Sequence, residues 1–501
     1  MSKRILHFML ILPVLGMAQW SQLGSDIDGE NAGDKFGASV SLNADGTIMA
    51  VGASSNSDTA NGSGEVKVFQ YNGAGWSQLG NDINGEIAGD QAGFSIDLNG
   101  DGSMLVVGYP TNDDNGNNAG LVRVFKFDNG NWTLMNTIFG DSQSDLFGYD
   151  VAISHNGNIL VVGAPKAGAL GISEGEGRIK IYENINDSWV LRREIDGVEE
   201  QEYFGSALSI NYDGSIIAAG ALQWPSLVTS RGTVRTYRRL HSTSTFWQTL
   251  PTIEGDNSGD EFGCSLSLNY DGTMLAIGAK GYESNGSGVG QVKIYNRPTS
   301  SSPTGWAQIG DDIFGSASGD NLGSAVSLNG DGTILAVGAS GANSIRGKTQ
   351  MFENINNTWT QIGSDIIGEN IQDFSTLRGA VDLSNNGFLL AVGAPNNDGN
   401  GNNSGHVRVY ENPTLSNDEI FLKNQISIFP NPARDYINIE LGIFYPVMEV
   451  KIHTLSGIQV FHSVYKEADF MSISTKMLHS GLYLLHLETK GKKIVKKIAI
   501  K

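Results

Sequence analysis

The chain has 501 residues, too long for one ordinary compact core, so several domains or a repeat architecture are expected. Its 65 Gly, 12 Pro, 40% hydrophobic and 17% charged residues suit an all-β protein dense in tight turns rather than a disordered or helical one. The formal net charge is −20, unevenly spread: residues 19–417 carry 20 Lys+Arg against 45 Asp+Glu, residues 418–501 carry 11 against 8. So acidic a body repels phosphate backbones, which sets nucleic acid aside as a partner, and the lone cysteine, Cys264, excludes an intramolecular disulfide framework.

At the N-terminus Lys3 and Arg4 precede an apolar run from Ile5 to Leu15 and then Gly16-Met17-Ala18. This layout predicts a signal peptide over residues 1–18, cleaved between Ala18 and Gln19, with no following Cys for a lipid anchor. No later apolar stretch approaches the ~18 residues that span a bilayer.

From residue 19 the sequence repeats. Trp20, Trp76, Trp132, Trp189, Trp247, Trp306 and Trp359 recur at intervals of 53 to 59 residues. Within each repeat, runs such as Val66-Lys67-Val68-Phe69 and Val407-Arg408-Val409-Tyr410 alternate apolar and basic residues at period two, the period of a strand. Asp45-Gly46, Asp101-Gly102, Asn156-Gly157, Asp213-Gly214, Asp271-Gly272, Asp331-Gly332 and Asn386-Gly387 predict tight antiparallel hairpins between the first two runs. Four short strands per ~56 residues, seven times over, predict a seven-bladed β-propeller across residues 19–412. A Trp strand follows each Gly-led third strand through a short turn, which leaves Trp20 to Gly24 without a predecessor and the last repeat without a Trp strand. The N-terminal segment is therefore expected to complete the last blade beside residues 406–411.

Phe36-Gly37, Phe147-Gly148, Phe204-Gly205 and Phe262-Gly263, with Gly163-Ala164-Pro165 and Gly393-Ala394-Pro395, resemble the FG-GAP repeats of integrin α chains and their bacterial relatives. Blade seven departs from the pattern with Leu377-Arg378, so its inner strand is expected to be distorted. In integrins the repeat implies a calcium loop of the form Asp-x-Asp/Asn-x-Asp-Gly-x-x-Asp. Here Ser41 and Met49 stand at its first and last positions; Asp97 and Asp382 regain the first, but Leu105 and Leu390 still lack the last. With six to eight oxygens needed, these segments read as hairpin turns, and no cofactor or metal is expected.

Residues 413–424 read as a linker to a second domain at 425–501. Seven short, mostly alternating runs between Ile426 and Ile500 predict a small Ig-like β-sandwich. Pro430-Asn431-Pro432, Asp435, Gly457, Gly481-x-Tyr483 and the terminal run holding Lys493, Lys496 and Lys501 resemble the type A sorting domain of the Bacteroidetes type IX secretion system. The resemblance implies export across the outer membrane to the surface or the medium, with the type IX machinery as a partner.

For chemistry the repeats offer little. Gly171-Ile172-Ser173-Glu174-Gly175 has the letters of a nucleophile elbow but not its strand-to-helix context. His155, His241 and His406 stand at unrelated positions, so neither a Ser-His-Asp triad nor a histidine-ligated zinc is expected. An acidic residue precedes the FG position in six repeats: Asp34, Asp90, Asp145, Glu202, Asp260 and Asp320. These six either ring a mouth of the channel or cap their own turns. Trp224, in a loop, and Arg231 are candidate binding residues, while Cys264 reads as a packed thiol. The expected function is a secreted, non-enzymatic propeller that binds a protein or glycan. A polysaccharide hydrolase or lyase using channel carboxylates and a structural spacer are the alternatives.

Overall fold

The computed structural model describes residues 20–168, 175–222, 231–240, 246–283, 287–297, 305–373, 379–412, 426–429, 432–454, 458–489 and 492–501. Each repeat folds as an antiparallel meander. The first consists of Ser39–Leu42, Ile48–Ala53, Glu65–Tyr71 and Trp76–Gln78, in that order from the inner edge of the sheet outward. The hairpin joining its first two strands shows why Asn-x-Asp-Gly recurs. Asn43 Oδ1 accepts the Ile48 N–H at 2.9 Å, Asp45 Oδ1 accepts the Thr47 N–H at 3.0 Å, and Gly46 takes φ 73°. Asn99, Asn211, Asn269 and Asn329 repeat the first bond, and Ser154 and Ser384 make it through a hydroxyl. The oxygens that a calcium loop would turn toward an ion are thus turned toward backbone N–H groups.

Among the described residues there are seven such sheets, and their innermost strands touch in a cycle. Those strands are Ser39–Leu42, Ile96–Leu98, Asp150–Ile153, Phe204–Ile210, Phe262–Leu268, Leu322–Leu328 and Val381–Leu383, the last packing back on the first. Residues 374–378, where the seventh repeat loses its Phe-Gly, lie outside the described residues. The glycines explain the close stacking: a Cβ on Gly52 would sit 2.2 Å from the Gly93 carbonyl oxygen of the next sheet. Gly52 ends the second run of one repeat and Gly93 follows the Phe position of the next, so the motif marks a backbone-to-backbone contact.

The ring closes through the N-terminal segment. Ser21 pairs with Glu411, Gln22 with Tyr410, Ile27 with Val407 and Asp28 with His406, so the seventh sheet takes its outer strand from the start of the chain. Each contact between neighbouring sheets has its own apolar core, such as Val66, Leu105, Tyr109 and Phe125 between the first and second. The closing core joins Val407 and Val409 to Phe36, Met49 and Val51. Trp20, 8% exposed, packs with Ile334, Leu390 and Val392 between the sixth and seventh sheets.

The C-terminal residues form one five-stranded antiparallel sheet of Ile426–Phe429, Tyr436–Thr454, Gln459–Ser474, Gly481–Thr489 and Lys492–Ile500. The seven runs expected from the sequence become five strands. Tyr436–Ile439 and Val450–His453 belong to a single 19-residue strand, because the segment between them is a bulge in the ladder rather than a loop. Ile437, Ile439, Val450, Ile452, Leu485 and Ile498 share one core.

Candidate functional site

The seven inner strands enclose a cavity of about 230 Å³. Each inner strand has a backbone ladder on one side only, so N–H groups on the other would be buried unpaired. Side chains fill that role in a closed circuit. Leu98 N donates to Ser41 Oγ at 3.0 Å, Ile153 N to Asp97 Oδ2 at 2.8 Å and Leu208 N to Asp150 Oδ2 at 2.7 Å. Leu268 N donates to Ser209 Oγ at 2.9 Å, Leu328 N to Ser267 Oγ at 2.9 Å and Leu383 N to Ser327 Oγ at 3.1 Å. Leu42 N, bonded to Asp382 Oδ2 at 2.7 Å, closes the circle.

A second circuit, of backbone alone, collars one end of the cavity at the hairpins. Ala44 N donates to Gly100 O, Gly100 N to His155 O, Asn156 N to Tyr212 O and Tyr212 N to Tyr270 O. Tyr270 N donates to Gly330 O, Gly330 N to Asn385 O and Asn385 N to Ala44 O, all between 2.8 and 3.2 Å. Tyr212 and Tyr270 stack at 4.3 Å between centroids, His155 packs on both, and Asn385 Nδ2 lies 3.5 Å from His155 Nδ1.

Burial governs the charge of these groups. Desolvation, reinforced by Asp382 and Asp150, pushes Asp97 up to about 8, so it is protonated at neutral pH. Desolvation also lifts Asp382 to about 6 and lowers His155 to about 4, leaving its ring neutral. Asp97 and Asp382 both spend their oxygens on serines and backbone N–H groups: Ser41 Oγ donates to Asp97 Oδ1 at 3.1 Å and Ser327 Oγ to Asp382 Oδ1 at 3.0 Å. At about 230 Å³ the cavity also falls below the ~300 Å³ at which small-molecule pockets begin.

The six acidic candidates are elsewhere. None lines the cavity; all are buried within their own turns. Asp34 accepts Asn31 N at 2.8 Å, Asp145 accepts Ser142 N at 3.1 Å, Asp260 accepts Asn257 N at 2.7 Å and Asp320 accepts Ser316 N at 2.9 Å. Glu202 accepts Val198 N at 2.6 Å and pairs with Arg235, while Asp90 accepts Asn112 Nδ2 at 3.1 Å. These carboxylates thus accept hydrogen bonds from their own turns or, for Asp90, also from the loop residue Asn112. Asp373 makes the same bond to Asn370 N at 2.7 Å in the seventh repeat. The sequence reading missed it, although Glu369-Asn370-Ile371-Gln372-Asp373 parallels Glu30-Asn31-Ala32-Gly33-Asp34.

Trp224 and residues 171–174 of the Ser173 string lie outside the described residues, and Arg231 is exposed. Cys264 is buried and its Sγ lies 3.3 Å from the Gly323 carbonyl oxygen. Of the sorting residues, Pro430, Asn431 and Gly457 lie outside the described residues. Pro432 and Gly481 are exposed, and buried Tyr483 donates its hydroxyl to His479 O at 2.8 Å. Lys493, Lys496 and Lys501 belong to or follow the last strand, Lys492–Ile500.

Comparison with known proteins bears on both parts of the chain. Residues 27–69 match the model of the FG-GAP repeat, and residues 427–501 match that of the secretion system C-terminal sorting domain. No curated protein matches the chain. A solved structure described as a putative 6-phosphogluconolactonase from Bacteroides fragilis is similar at 13% identity and a TM-score of 0.47, over 85% of this chain and 97% of that one. Among the described residues no helix is long and apolar enough to cross a membrane. The sorting domain marks the protein for type IX secretion, to the cell surface or beyond. The chain thus carries an FG-GAP repeat in its N-terminal part and ends in a secretion system C-terminal sorting domain.

Proposed function

We propose that this protein is a secreted, non-catalytic seven-bladed β-propeller that binds a protein or glycan outside the cell, delivered there by the signal peptide at residues 1–18 and the sorting domain at 425–501. The observation that supports a binding role over a catalytic one is the commitment of the cavity's polar groups. Asp97, Asp150 and Asp382 hold neighbouring inner strands together, so they serve the scaffold. A general acid or base must be free to reach the proton it moves.

The binding surface is assigned to the end of the sheets opposite the hairpin collar, where the acidic turns meet the loops between second and third strands. There Gly89 N bonds to Asn61 O and Gln91 N to Gly62 O, joining a turn to a loop of the preceding sheet. Ile87, Val198 and Ile371 stand out from these turns at 45%, 74% and 61% exposure, apolar contacts that the turns themselves do not use. Loops held on a rigid scaffold are where binding sites concentrate.

The test is to screen the mature protein on a glycan array and against extracellular proteins, then repeat with Val198→Asp and Ile371→Asp. Binding that the turn variants weaken supports the proposal. Turnover of a polysaccharide that Asp97→Asn abolishes would replace it with the hydrolase or lyase reading.

A further inference from the structure

The seam where the chain closes on itself holds a cluster that the repeats do not explain. His406 opens the third strand of the seventh sheet, His406–Glu411, and faces Asp28 of the N-terminal strand Ile27–Asp28 in register. Asp26 is two residues before Asp28 and, by strand alternation, on the same face. His406 Nδ1 lies 3.9 Å from Asp28 Oδ1 and 4.0 Å from Asp26 Oδ2, and the three donor atoms fall within 4.8 Å of one another.

His406 is 3% exposed and its Nδ1 has no hydrogen-bond partner. A buried ring nitrogen left unpaired has lost its water with nothing in exchange, so it calls for a partner. At the corresponding places of the two preceding sheets the nitrogens have partners: in the fifth, Gln291 Nε2 donates to Asp312 Oδ2 at 2.8 Å, and in the sixth, Lys348 Nζ donates to Ser316 Oγ at 3.0 Å. Only the seventh sheet puts an imidazole there, with two carboxylates at 31% and 35% side-chain exposure before it.

We propose that Asp26, Asp28 and His406 bind a divalent transition-metal ion, with zinc the best chemical fit, and that the ion staples the N-terminal strand to the last sheet. Imidazole nitrogen and carboxylate oxygen are both zinc donors, and three protein ligands leave a fourth position to water. Zinc–ligand lengths of about 2.0–2.2 Å place neighbouring tetrahedral donors about 3.4 Å apart, so the partly exposed carboxylates need move toward the imidazole by about half an ångström and toward each other by at most about 1.4 Å. The local charge agrees. Asp26, Asp28 and Glu369 stand against the single guanidinium of Arg408, a balance of −2 with the imidazole neutral. Arg408 Nε and Nη2 hold Asp26 at 2.9 and 2.7 Å, fixing the carboxylate's orientation as an outer-shell partner does. The sequence hid this site because its ligands come from opposite ends of the repeat region and meet only on closure.

The test is a titration of the purified mature chain with Co²⁺, whose visible absorption reports coordination, followed by displacement with Zn²⁺, in wild type, His406→Gln and Asp28→Asn. Melting in EDTA confirms that all three are folded. The expected result is one Co²⁺ per chain with a visible band that Zn²⁺ removes, a Zn²⁺-dependent rise in melting temperature in wild type, and loss of both in each variant. Absence of the band in wild type, or a band of equal strength in His406→Gln, would overturn the assignment and, in the second case, point to His453 and His486, whose rings lie 4.5 Å apart.

Discussion

Gln22 and Tyr410 are register partners, so the first described strand of the chain is the outer strand of the last sheet. This pairing removes two sheet edges that would otherwise be exposed, and Trp20 locks it by filling the gap between the sixth and seventh sheets. Deleting residues 19–26 should lower the melting temperature cooperatively and expose the His406–Glu411 strand to proteolysis. Trp20→Ala alone should cost about 3–5 kcal/mol in denaturant unfolding, the range for a buried Trp. Wild-type stability in the deletion would show that the ring does not depend on this strand.

The stacking of sheets predicts intolerance at the paired glycines. Gly52→Ala places a methyl group 2.2 Å from the Gly93 carbonyl and 2.3 Å from Ser39 Oγ, and the first is backbone that cannot swing aside. Overpacking of this kind costs about 1–3 kcal/mol. Gly73→Ala, with nothing within 4 Å, is the control; at φ 91° it should carry only the smaller strain of an L-residue in that conformation. Equal unfolding midpoints for the two variants would contradict the packing account.

Asp97 should make stability depend on pH in a defined direction. Its folded pKa of about 8 lies above its ordinary value of 3.8, so the folded state holds a proton that the unfolded state has released between those values. Stability from this group is full below pH ~4 and is lost as pH rises toward ~8. Asp97→Asn, which cannot ionise, should flatten that slope and melt higher than wild type at pH 8 relative to pH 5. A parallel pair of melting curves across that window would show that Asp97 is not the group responsible.

The fold was legible to an uneven degree. Trp spacing and Asp-Gly or Asn-Gly hairpins foretell the meanders, because both are local: the turn glycine and its Asn or Asp act within five residues. The chain closure was legible from an orphan strand at Trp20 and a missing one after Tyr410. What stayed hidden is what depends on neighbouring repeats. Asp97 and Asp382 stand out in the sequence only as remnants of a metal loop, whereas their real partners, Ile153 N and Leu42 N, belong to other sheets. For Asp34 and its equivalents the sequence left a ring and a turn cap both open, and which backbone N–H each would reach, as Asp34 reaches Asn31 N, was not legible from it. In the C-terminal domain, Tyr436–Thr454 read as two strands because Gly442 and Pro446 interrupt the alternation at the bulge.

The account rests most directly on export through residues 427–501, the segment that matches the sorting-domain model. The measurement is to express, in a bacterium with a type IX system, the full chain and a truncation lacking residues 424–501, and to fractionate the cells. The account predicts the full chain at the surface or in the medium and the truncation folded in the periplasm, resistant to protease. Secretion of the truncation at the level of the full chain would contradict it.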